Sequence, residues 1–299
     1  MNFFNFLKPK IKIVTHSGNF HADEVFALAT LSLWAEKQGK RVEIVRTRDP
    51  KIIEQADIVV DVGGEYNFDK GRFDHHQRDG AGKRTNGIPY ASFGLVWKHY
   101  GREISDPKTF EILDNILATP IDAFDNGVNT TKDLIEGVHS YSVGEELIYA
   151  LRCDPSGKGF EHFLDMAKLV IRSEISRIQK LDKDEKLVLE EIKKQSEPEI
   201  LELSEDVVWE EVTQDYKNIK MVVCPELNTG EWCVESPRDD ITNFDTTRVL
   251  FPENWRGLRE KALEEASGIK GAIFCHRAGF FAVAKTRDVA IQMAKAALA

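Results

Sequence analysis

The feature that most constrains the fold is the apolar run Ile58-Val59-Val60-Asp61-Val62, which Gly63-Gly64 ends. A continuous run of this length, rich in β-branched residues, is typical of a central strand of a parallel sheet covered on both faces. Before it, residues 10–15 and 41–45 predict strands, and residues 23–38 predict a helix. The order of strand, helix, strand, helix and strand therefore predicts an α/β domain with a doubly wound, mainly parallel sheet.

The pattern changes after a long helix. Residues 160–195 predict one continuous helix, whose charged stretch at residues 180–194 is typical of a solvated face. Beyond it, short strands are expected at residues 207–212, 220–224, 230–234, 271–276 and 280–284, and helices at 255–265 and 286–298. We therefore expect a metal-binding catalytic domain over residues 1–195, with the long helix as connector, and a smaller α/β substrate-binding domain over residues 196–299.

Composition limits the partners. The formal net charge of −10 argues against a broad electropositive face for a long duplex, so phosphate recognition must come from a local basic patch. Four widely spaced cysteines without a C-x-x-C pair fit a reducing compartment. No run approaches the ~20 apolar residues of a membrane span. We expect a cytoplasmic protein without a membrane partner, for which a homodimer is one compatible assembly.

Polar residues follow the predicted strands. His16 comes directly after the first strand, and Asp61 lies at the end of the third. Ligands of open α/β sheets bind outside the carboxyl ends of the strands, so these side chains should meet at one edge. His21 and Asp23 lie in the loop that leads into the first helix. The sequence thus predicts four potential ligands at one edge of the sheet.

Two further clusters carry the same side chains, Asp74-His75-His76 and the segment that contains Asp122 and Asp125. Carboxylates and imidazoles suit manganese, iron, cobalt or zinc, and no cysteine lies in these clusters. Two cations ~3.5 to 4 Å apart would neutralise the oxygens of a phosphodiester and lower the pKa of a water molecule between them. Asp61, held at the end of a buried strand, is the candidate carboxylate to bridge the ions. No G-x-S-x-G and no phosphate-binding G-x-x-x-x-G-K-[ST] motif occurs.

These windows resemble the DHH phosphoesterase superfamily, which includes the RecJ exonuclease, oligoribonucleases and family II pyrophosphatases. Longer segments resemble the melanocyte proliferating gene family (UPF0160), whose eukaryotic members are described as 3′-to-5′ RNA exonucleases. The segments are residues 15–24, 61–64, 72–77, 122–127, 252–259 and 276–280. The resemblance covers nearly the whole chain and is more specific for the family than for the substrate.

The resemblance implies a ligand set for two divalent metal ions. One ion would be held by His16, His21 and Asp61. The other would be held by Asp23, Asp61, His75 and either Asp122 or Asp125. His21 stands where most DHH enzymes have aspartate, so the first site should carry less negative charge and prefer softer ions than magnesium. Manganese is the expected ion, with zinc, cobalt or magnesium as alternatives.

The resemblance also implies catalytic and substrate-binding roles. His76, Asp74 and Asp61 are the candidate catalytic residues: His76 would face the substrate phosphate, and Asp74 would orient a ligand histidine. In the second domain, Arg256, His276 and Arg277 are candidate phosphate or nucleotide contacts, and Trp255 could stack on a base or belong to the core. Lys83 and Arg84 could contact a nucleic-acid backbone or form a solvated loop.

Three functions remain open at this point. The first is a 3′-to-5′ exonuclease that hydrolyses short single-stranded RNA or small nucleotides with a water activated by two metals. The second is a pyrophosphatase-like hydrolase of a small phosphate compound. The third is a metal- or nucleotide-binding regulatory protein with little turnover.

Overall fold

The computed structural model describes residues 9–132, 135–139 and 141–299, and the chain forms two compact units, Met1–Ile178 and Gln179–Ala299. The division falls inside the long helix, whereas the sequence analysis placed a domain boundary after it. The reason is packing, because Val188 and Ile192 from the end of this helix belong to a hydrophobic cluster of the second unit.

The elements of the first unit alternate between strands and helices from residue 10 to residue 54. The strands are β1 Lys10–Thr15, β2 Arg41–Arg46, β3 Ile58–Val60, β4 Tyr66–Asn67 and β5 Arg72–Phe73. The α-helices are α1 Ala22–Lys37, α2 Pro50–Glu54, α3 Ser92–Val96, α4 Arg102–Ile104, α5 Pro107–Leu113, α6 Thr119–Asp125, α7 Ile148–Arg152 and α8 Gly159–Lys194, of which α8 continues into the second unit. A 3-10 helix forms at Phe68–Lys70, and π-helical turns form at Trp97–Gly101, Asp114–Ala118 and Val143–Leu147.

The first sheet has the order β2-β1-β3-β5-β4, and its strands are parallel except for β4, which pairs antiparallel with β5. Both faces are covered. Ile13 and Val60 pack into the main core with helix α1, whereas Val14 and Val59 pack on the opposite face against residues of α2. The prediction of an α/β fold with a doubly wound, mainly parallel sheet is therefore confirmed.

Helix α1 occupies the centre of this unit. Its residues Val25, Phe26 and Leu28 are all essentially inaccessible to solvent, because the helix contacts both the sheet and helix α3. A helix that is apolar on all sides is expected only in such a buried position. Among the described residues, no helix is both long and apolar enough to cross a membrane.

The second unit contains a five-stranded sheet of order β6-β7-β8-β10-β9, in which only β6 and β7 pair in parallel. Its strands are β6 Ile200–Glu202, β7 Met221–Pro225, β8 Trp232–Glu235, β9 Ala272–Cys275 and β10 Phe281–Ala284. Its α-helices are α9 Glu260–Ser267 and α10 Arg287–Leu298, and short 3-10 helices form at Val212–Gln214, Phe244–Thr246 and Glu253–Trp255.

Two element predictions in this unit are wrong. Residues 207–212 form no strand, because the edge of β7 is already taken by β6, and Val207 and Trp209 fill the core from irregular backbone. The helix expected from residue 255 begins only at Glu260, after a 3-10 turn that ends at Trp255. Apolar residues can serve a core from any backbone conformation, so their spacing misled both predictions.

Candidate metal centre

The candidate site lies where three neighbouring strands end. In the sheet, β3 lies between β1 and β5, and the three strands run parallel. His16 follows β1, Asp61 follows β3, and Asp74 to His76 follow β5. The side chains that the sequence analysis assigned to strand ends are therefore brought to one edge of the sheet, as parallel pairing requires.

Asp61 has an unusual backbone conformation. Its φ is +56°, whereas the sequence predicted a strand that continued to Val62. Aspartate tolerates this left-handed conformation better than most residues, and such residues are often found at functional sites. Two contacts hold it, because its N–H donates to the Phe73 carbonyl (3.1 Å) and its Oδ1 accepts from the Ser92 hydroxyl (3.1 Å).

The two carboxylate oxygens of Asp61 each face a different imidazole. Oδ2 lies 3.3 Å from Nε2 of His16, and Oδ1 lies 3.4 Å from Nε2 of His75. The side chain of Asp61 is only 4% exposed. A carboxylate held in this way would offer one oxygen to each of two cations.

Each of these two imidazole nitrogens also faces other carboxylates. Glu24 Oε1 lies 3.2 Å from Nε2 of His16. Around Nε2 of His75, Asp125 Oδ2 lies at 3.1 Å and Asp23 Oδ2 at 3.9 Å. The structure therefore gathers two sets of donor atoms, with Asp61 between them.

Asp23 tests whether these residues fit a metal ion. The residue is 1% exposed, and neither of its carboxylate oxygens has a hydrogen-bond partner among the described residues. A buried carboxylate without hydrogen bonds costs several kcal/mol in its charged form, on the order given by transfer experiments, unless it takes up a proton or a cation compensates it. The described residues contain three groups in which one donor atom from each member lies within 4.8 Å of the others. The groups are His16 with His21, Glu24 and Asp61; Asp61 with His75 and His76; and His21 with Asp23 and Asp125. The donor set and the unpaired carboxylate fit divalent cations.

Asp74 positions His76. Asp74 is buried, and its Oδ2 accepts the Gly64 N–H (2.6 Å) while its Oδ1 accepts the His76 N–H (3.1 Å) and lies 2.7 Å from Nδ1 of His76. The family resemblance implies that Asp74 orients a ligand histidine. In the structure the imidazole that Asp74 contacts is that of His76, which is expected to face the substrate phosphate. The side chain of His76 is 62% exposed and lines the cavity.

Asp122 and Asp125 lie on the same helix, α6, but only Asp125 reaches the cluster. Asp122 is fully buried, and its carboxylate accepts from Arg84 Nη1 (2.6 Å) and from the Gly94 N–H (2.9 Å). Arg84 also pairs with Asp114 at 2.9 Å. Neither alternative given for Arg84, a nucleic-acid contact or a solvated loop, fits this arrangement, because its side chain is 6% exposed and occupied by two carboxylates.

Three residues of the site were not assigned roles from the sequence. Glu24 carried a signal, because it lies three residues after the N-cap His21, the spacing of a capping box. Arg48 also carried one, since it follows β2 and therefore lies at the ligand-binding edge. Ser92 carried none, because its contact with Asp61 depends on how helix α3 packs.

The cavity above the cluster has a volume of about 670 Å³. Besides members of the cluster, it is lined by Asn19, Arg48 and the Gly63–Gly64 turn. Arg48 is exposed and makes no ion pair within residues 9–132, 135–139 and 141–299. The cavity is therefore lined both by candidate metal ligands and by the exposed guanidinium of Arg48.

In the second unit, Arg256 lies against the turn that follows β9. Its Nε donates to the Phe251 carbonyl (2.9 Å), and a side chain on Gly279 would place a Cβ 2.7 Å from that nitrogen. His276 begins the turn and accepts the Ala278 N–H at Nδ1 (3.1 Å), whereas Arg277 is exposed. Trp255 is 5% exposed and stacks on Phe251, so the structure places it in the core rather than on a base-binding surface.

The facing carboxylates change the protonation of the cluster. Burial lowers the pKa of His16 and His75, but the facing carboxylates outweigh it and raise each pKa from 6.5 to about 10. Burial and neighbouring carboxylates raise the pKa of Asp23. Burial would also raise the pKa of Asp61, but the facing imidazoles of His16 and His75 hold it well below the usual range. In the metal-free protein, both imidazoles are therefore protonated to the cationic form at neutral pH.

Comparisons with known proteins bear on the family. The sequence model of the family described as "Uncharacterised protein family (UPF0160)" matches residues 12–298. The mouse protein named MYG1 exonuclease is 33% identical over 336 residues, which cover 99% of this chain and 86% of the mouse protein. The human MYG1 exonuclease is 31% identical, covering 96% and 86%, and the MYG1 protein of Dictyostelium discoideum is 31% identical, covering 95% of each chain.

Two solved structures show weaker similarity. RecJ from Thermus thermophilus, solved in complex with Mn²⁺, is 14% identical with a TM-score of 0.28, over 95% of this chain and 52% of RecJ. An exopolyphosphatase-related protein from Bacteroides fragilis is 13% identical with a TM-score of 0.24, over 99% and 93% of the two chains. These TM-scores are too low to carry an argument about function.

We expect metal binding to release at least two protons per chain at pH 7, because ligation requires neutral imidazoles at His16 and His75 and an ionised carboxylate at Asp23, whose pKa is raised. Calorimetric titration with Mn²⁺ in buffers of different ionisation enthalpy measures this number. Since both folded-state pKa values lie near 10, apparent affinity should rise with pH up to that value. Binding without proton release would contradict the arrangement.

In the metal-free protein the raised pKa values of His16 and His75 stabilise the fold fully below pH 6.5, and this stabilisation is lost as pH rises through 10.

Replacing the two aspartates of α6 should have opposite effects. Asp125→Asn should remove one equivalent of bound metal and leave stability largely unchanged, because Asp125 faces His75. Asp122→Asn should retain both ions but lower the free energy of unfolding by about 3–5 kcal/mol, since it breaks a buried ion pair with Arg84. Metal analysis after desalting and urea unfolding measure the two effects. Loss of metal in Asp122→Asn with unchanged stability would reverse the assignment.

Proposed function

This chain belongs to the uncharacterised protein family UPF0160, and from that premise we propose that it is a divalent-metal-dependent phosphodiesterase. We further propose that it removes nucleotides from the 3′ end of short single-stranded RNA. The observation that carries the proposal is the Asp61 carboxylate, whose two oxygens face His16 and His75 beside the unpaired Asp23. Relatives named MYG1 exonuclease support the nuclease part of the proposal.

We propose two metal positions, one on each side of Asp61. The first involves His16 and His21, and the second involves Asp23, His75 and Asp125. Two divalent ions, when bound, supply charge neutralisation for the phosphate and a nucleophilic water at neutral pH. The mixture of imidazole and carboxylate donors favours manganese, with cobalt, zinc and magnesium as the alternatives to test.

The residues of the chain itself prepare the substrate. Asp74 occupies one ring nitrogen of His76, and the other is accessible from the cavity. In its protonated form, His76 donates this N–H to an oxygen of the reacting phosphate, while Asp74 stabilises the positive charge. The buried hydrogen bonds of Asp74 fix the orientation of the ring before substrate arrives, which is the pre-organisation that a charged transition state requires.

Arg48 supports a substrate with more than one phosphate. Its guanidinium lines the same cavity as His76 and is well suited to bidentate contact with a phosphate. The formal charge of −10 disfavours a long duplex, and a cavity of about 670 Å³ suits the end of a short strand. A short RNA fits these limits because its second phosphate would lie near Arg48 while the terminal one reacts. Arg256, His276 and Arg277 are proposed as additional nucleotide contacts of the second unit.

The proposal is tested with a 5′-labelled pentanucleotide RNA, alongside pyrophosphate and a cyclic dinucleotide. Metal-stripped protein is supplied with Mn²⁺, Mg²⁺, Co²⁺ or Zn²⁺, and Asp61→Asn serves as the control. We expect stepwise shortening of the labelled RNA that requires added metal and falls at least about 100-fold in Asp61→Asn. Faster turnover of pyrophosphate would favour the pyrophosphatase alternative. Binding of two ions without turnover of any substrate would favour a regulatory protein.

Arg48→Gln should weaken RNA binding without loss of metal. Removing a charged hydrogen-bond donor should raise KM for RNA by about 10- to 100-fold. Arg102→Gln is the matched control, because Arg102 is exposed and pairs with Glu111 on distant helices. Steady-state kinetics and metal analysis are measured together. Equal KM values for Arg48→Gln and Arg102→Gln would exclude Arg48 from the substrate site.

A further inference from the structure

Glu24 has a position that helix capping explains only in part. It is the third residue of α1 and is fully buried. Both of its carboxylate oxygens lie 2.8 Å from the backbone nitrogen of His21. A capping box needs only one accepting oxygen at this position. A buried carboxylate retains a negative charge that this N–H alone does not balance.

The other neighbour of Glu24 is a candidate metal ligand. Glu24 Oε1 lies 3.2 Å from Nε2 of His16, the same nitrogen that Asp61 Oδ2 approaches to 3.3 Å. One donor atom from each of His16, His21, Glu24 and Asp61 can be chosen so that all lie within 4.8 Å of one another. Two carboxylates from different parts of the chain therefore converge on one imidazole nitrogen.

We propose that Glu24 is the anionic ligand of the first metal position, which it shares with His16, His21 and Asp61. This inference rests on the proposed two-metal function and specifies its first site. The family resemblance implied that site without Glu24, with Asp61 as its only anion and that anion shared with the second ion. Glu24 thus supplies the negative charge that His21 does not.

The charges of the cluster support this assignment. Asp23, Asp61 and Asp125 carry three negative charges, whereas two divalent ions carry four positive charges. Glu24 adds the fourth negative charge, so the buried cluster is neutral before substrate binds. Because uncompensated charge is costly in a buried site, removing Glu24 should weaken the first ion far more than the second.

The test uses Glu24→Gln, whose amide oxygen still accepts the His21 N–H but whose charge is lost. Glu36→Gln is the matched control on the same helix, where Glu36 is exposed and pairs with Arg172. Mn²⁺ binding is measured by calorimetry and by metal analysis after desalting. Electron paramagnetic resonance of the loaded proteins distinguishes a coupled manganese pair from a single ion. Circular dichroism of the metal-free variants verifies the fold.

We expect two ions per chain and a coupled-pair spectrum for the unmodified protein and for Glu36→Gln. Glu24→Gln should retain only the second ion after desalting and give a single-ion spectrum. Its affinity for the first ion, measured by calorimetry, should be at least about tenfold lower. Two ions bound by Glu24→Gln with unchanged affinity would show that Glu24 only caps the helix, and would overturn the inference. Fewer than two ions in the unmodified protein would overturn the two-metal function itself.

A second variant covers failure of Glu24→Gln to fold. Glu24→Asp keeps the charge on a shorter side chain, and should weaken only the first ion. Equal weakening of both ions in Glu24→Asp would overturn the assignment of Glu24 to the first position.

Discussion

The placement of the Asp61 carboxylate between His16 and His75 is the interaction on which the rest of the site depends. It exists because β1, β3 and β5 are neighbours in a parallel sheet, so that the residues after these strands meet at one edge. The left-handed backbone of Asp61 ends β3 abruptly, and a hydrogen bond to Phe73 and another from Ser92 hold it there. The sheet thus provides a rigid base for the carboxylate that we propose as the shared ligand of two cations.

Charge balance is the second constraint. Four carboxylates, those of Asp23, Glu24, Asp61 and Asp125, lie close to two imidazole nitrogens in a largely buried cluster. Without metal, the protons on the imidazoles offset part of this negative charge. Asp122 belongs to a separate arrangement, because Arg84 joins it to Asp114 and so ties the segment after His76 to helix α6. A carboxylate in the same helix can therefore serve the site indirectly, through packing rather than ligation.

Much of this arrangement was predictable from the sequence. The runs at residues 10–15 and 58–62 indicated parallel strands, and the residues after them indicated the edge where ligands meet. The choice between Asp122 and Asp125 was not predictable, because both lie on one short helix and only the position of Arg84, from a distant loop, separates their environments. Residues 207–212 were mistaken for a strand because their apolar side chains fill a core without pairing.

The residues that the sequence analysis left unassigned have a common cause. Glu24 serves as a helix cap, and Arg48 lies beyond the end of a strand, so each has an ordinary local explanation in the sequence. Only the folded arrangement shows that Glu24 faces His16 and that Arg48 lines the same cavity as His76. Local sequence patterns identify clusters of histidine and aspartate as candidate ligands. A residue that already has an ordinary structural role, such as a helix cap, is recognised as part of the site only from its tertiary contacts.

The most direct test of the account is a crystal structure of the manganese-loaded protein, with data collected at the manganese absorption edge. We expect two anomalous peaks per chain, one beside each carboxylate oxygen of Asp61. The first peak should lie next to His16 and the second next to His75. A single peak, or two peaks of which only one contacts Asp61, would contradict the bridging role on which the proposed chemistry rests.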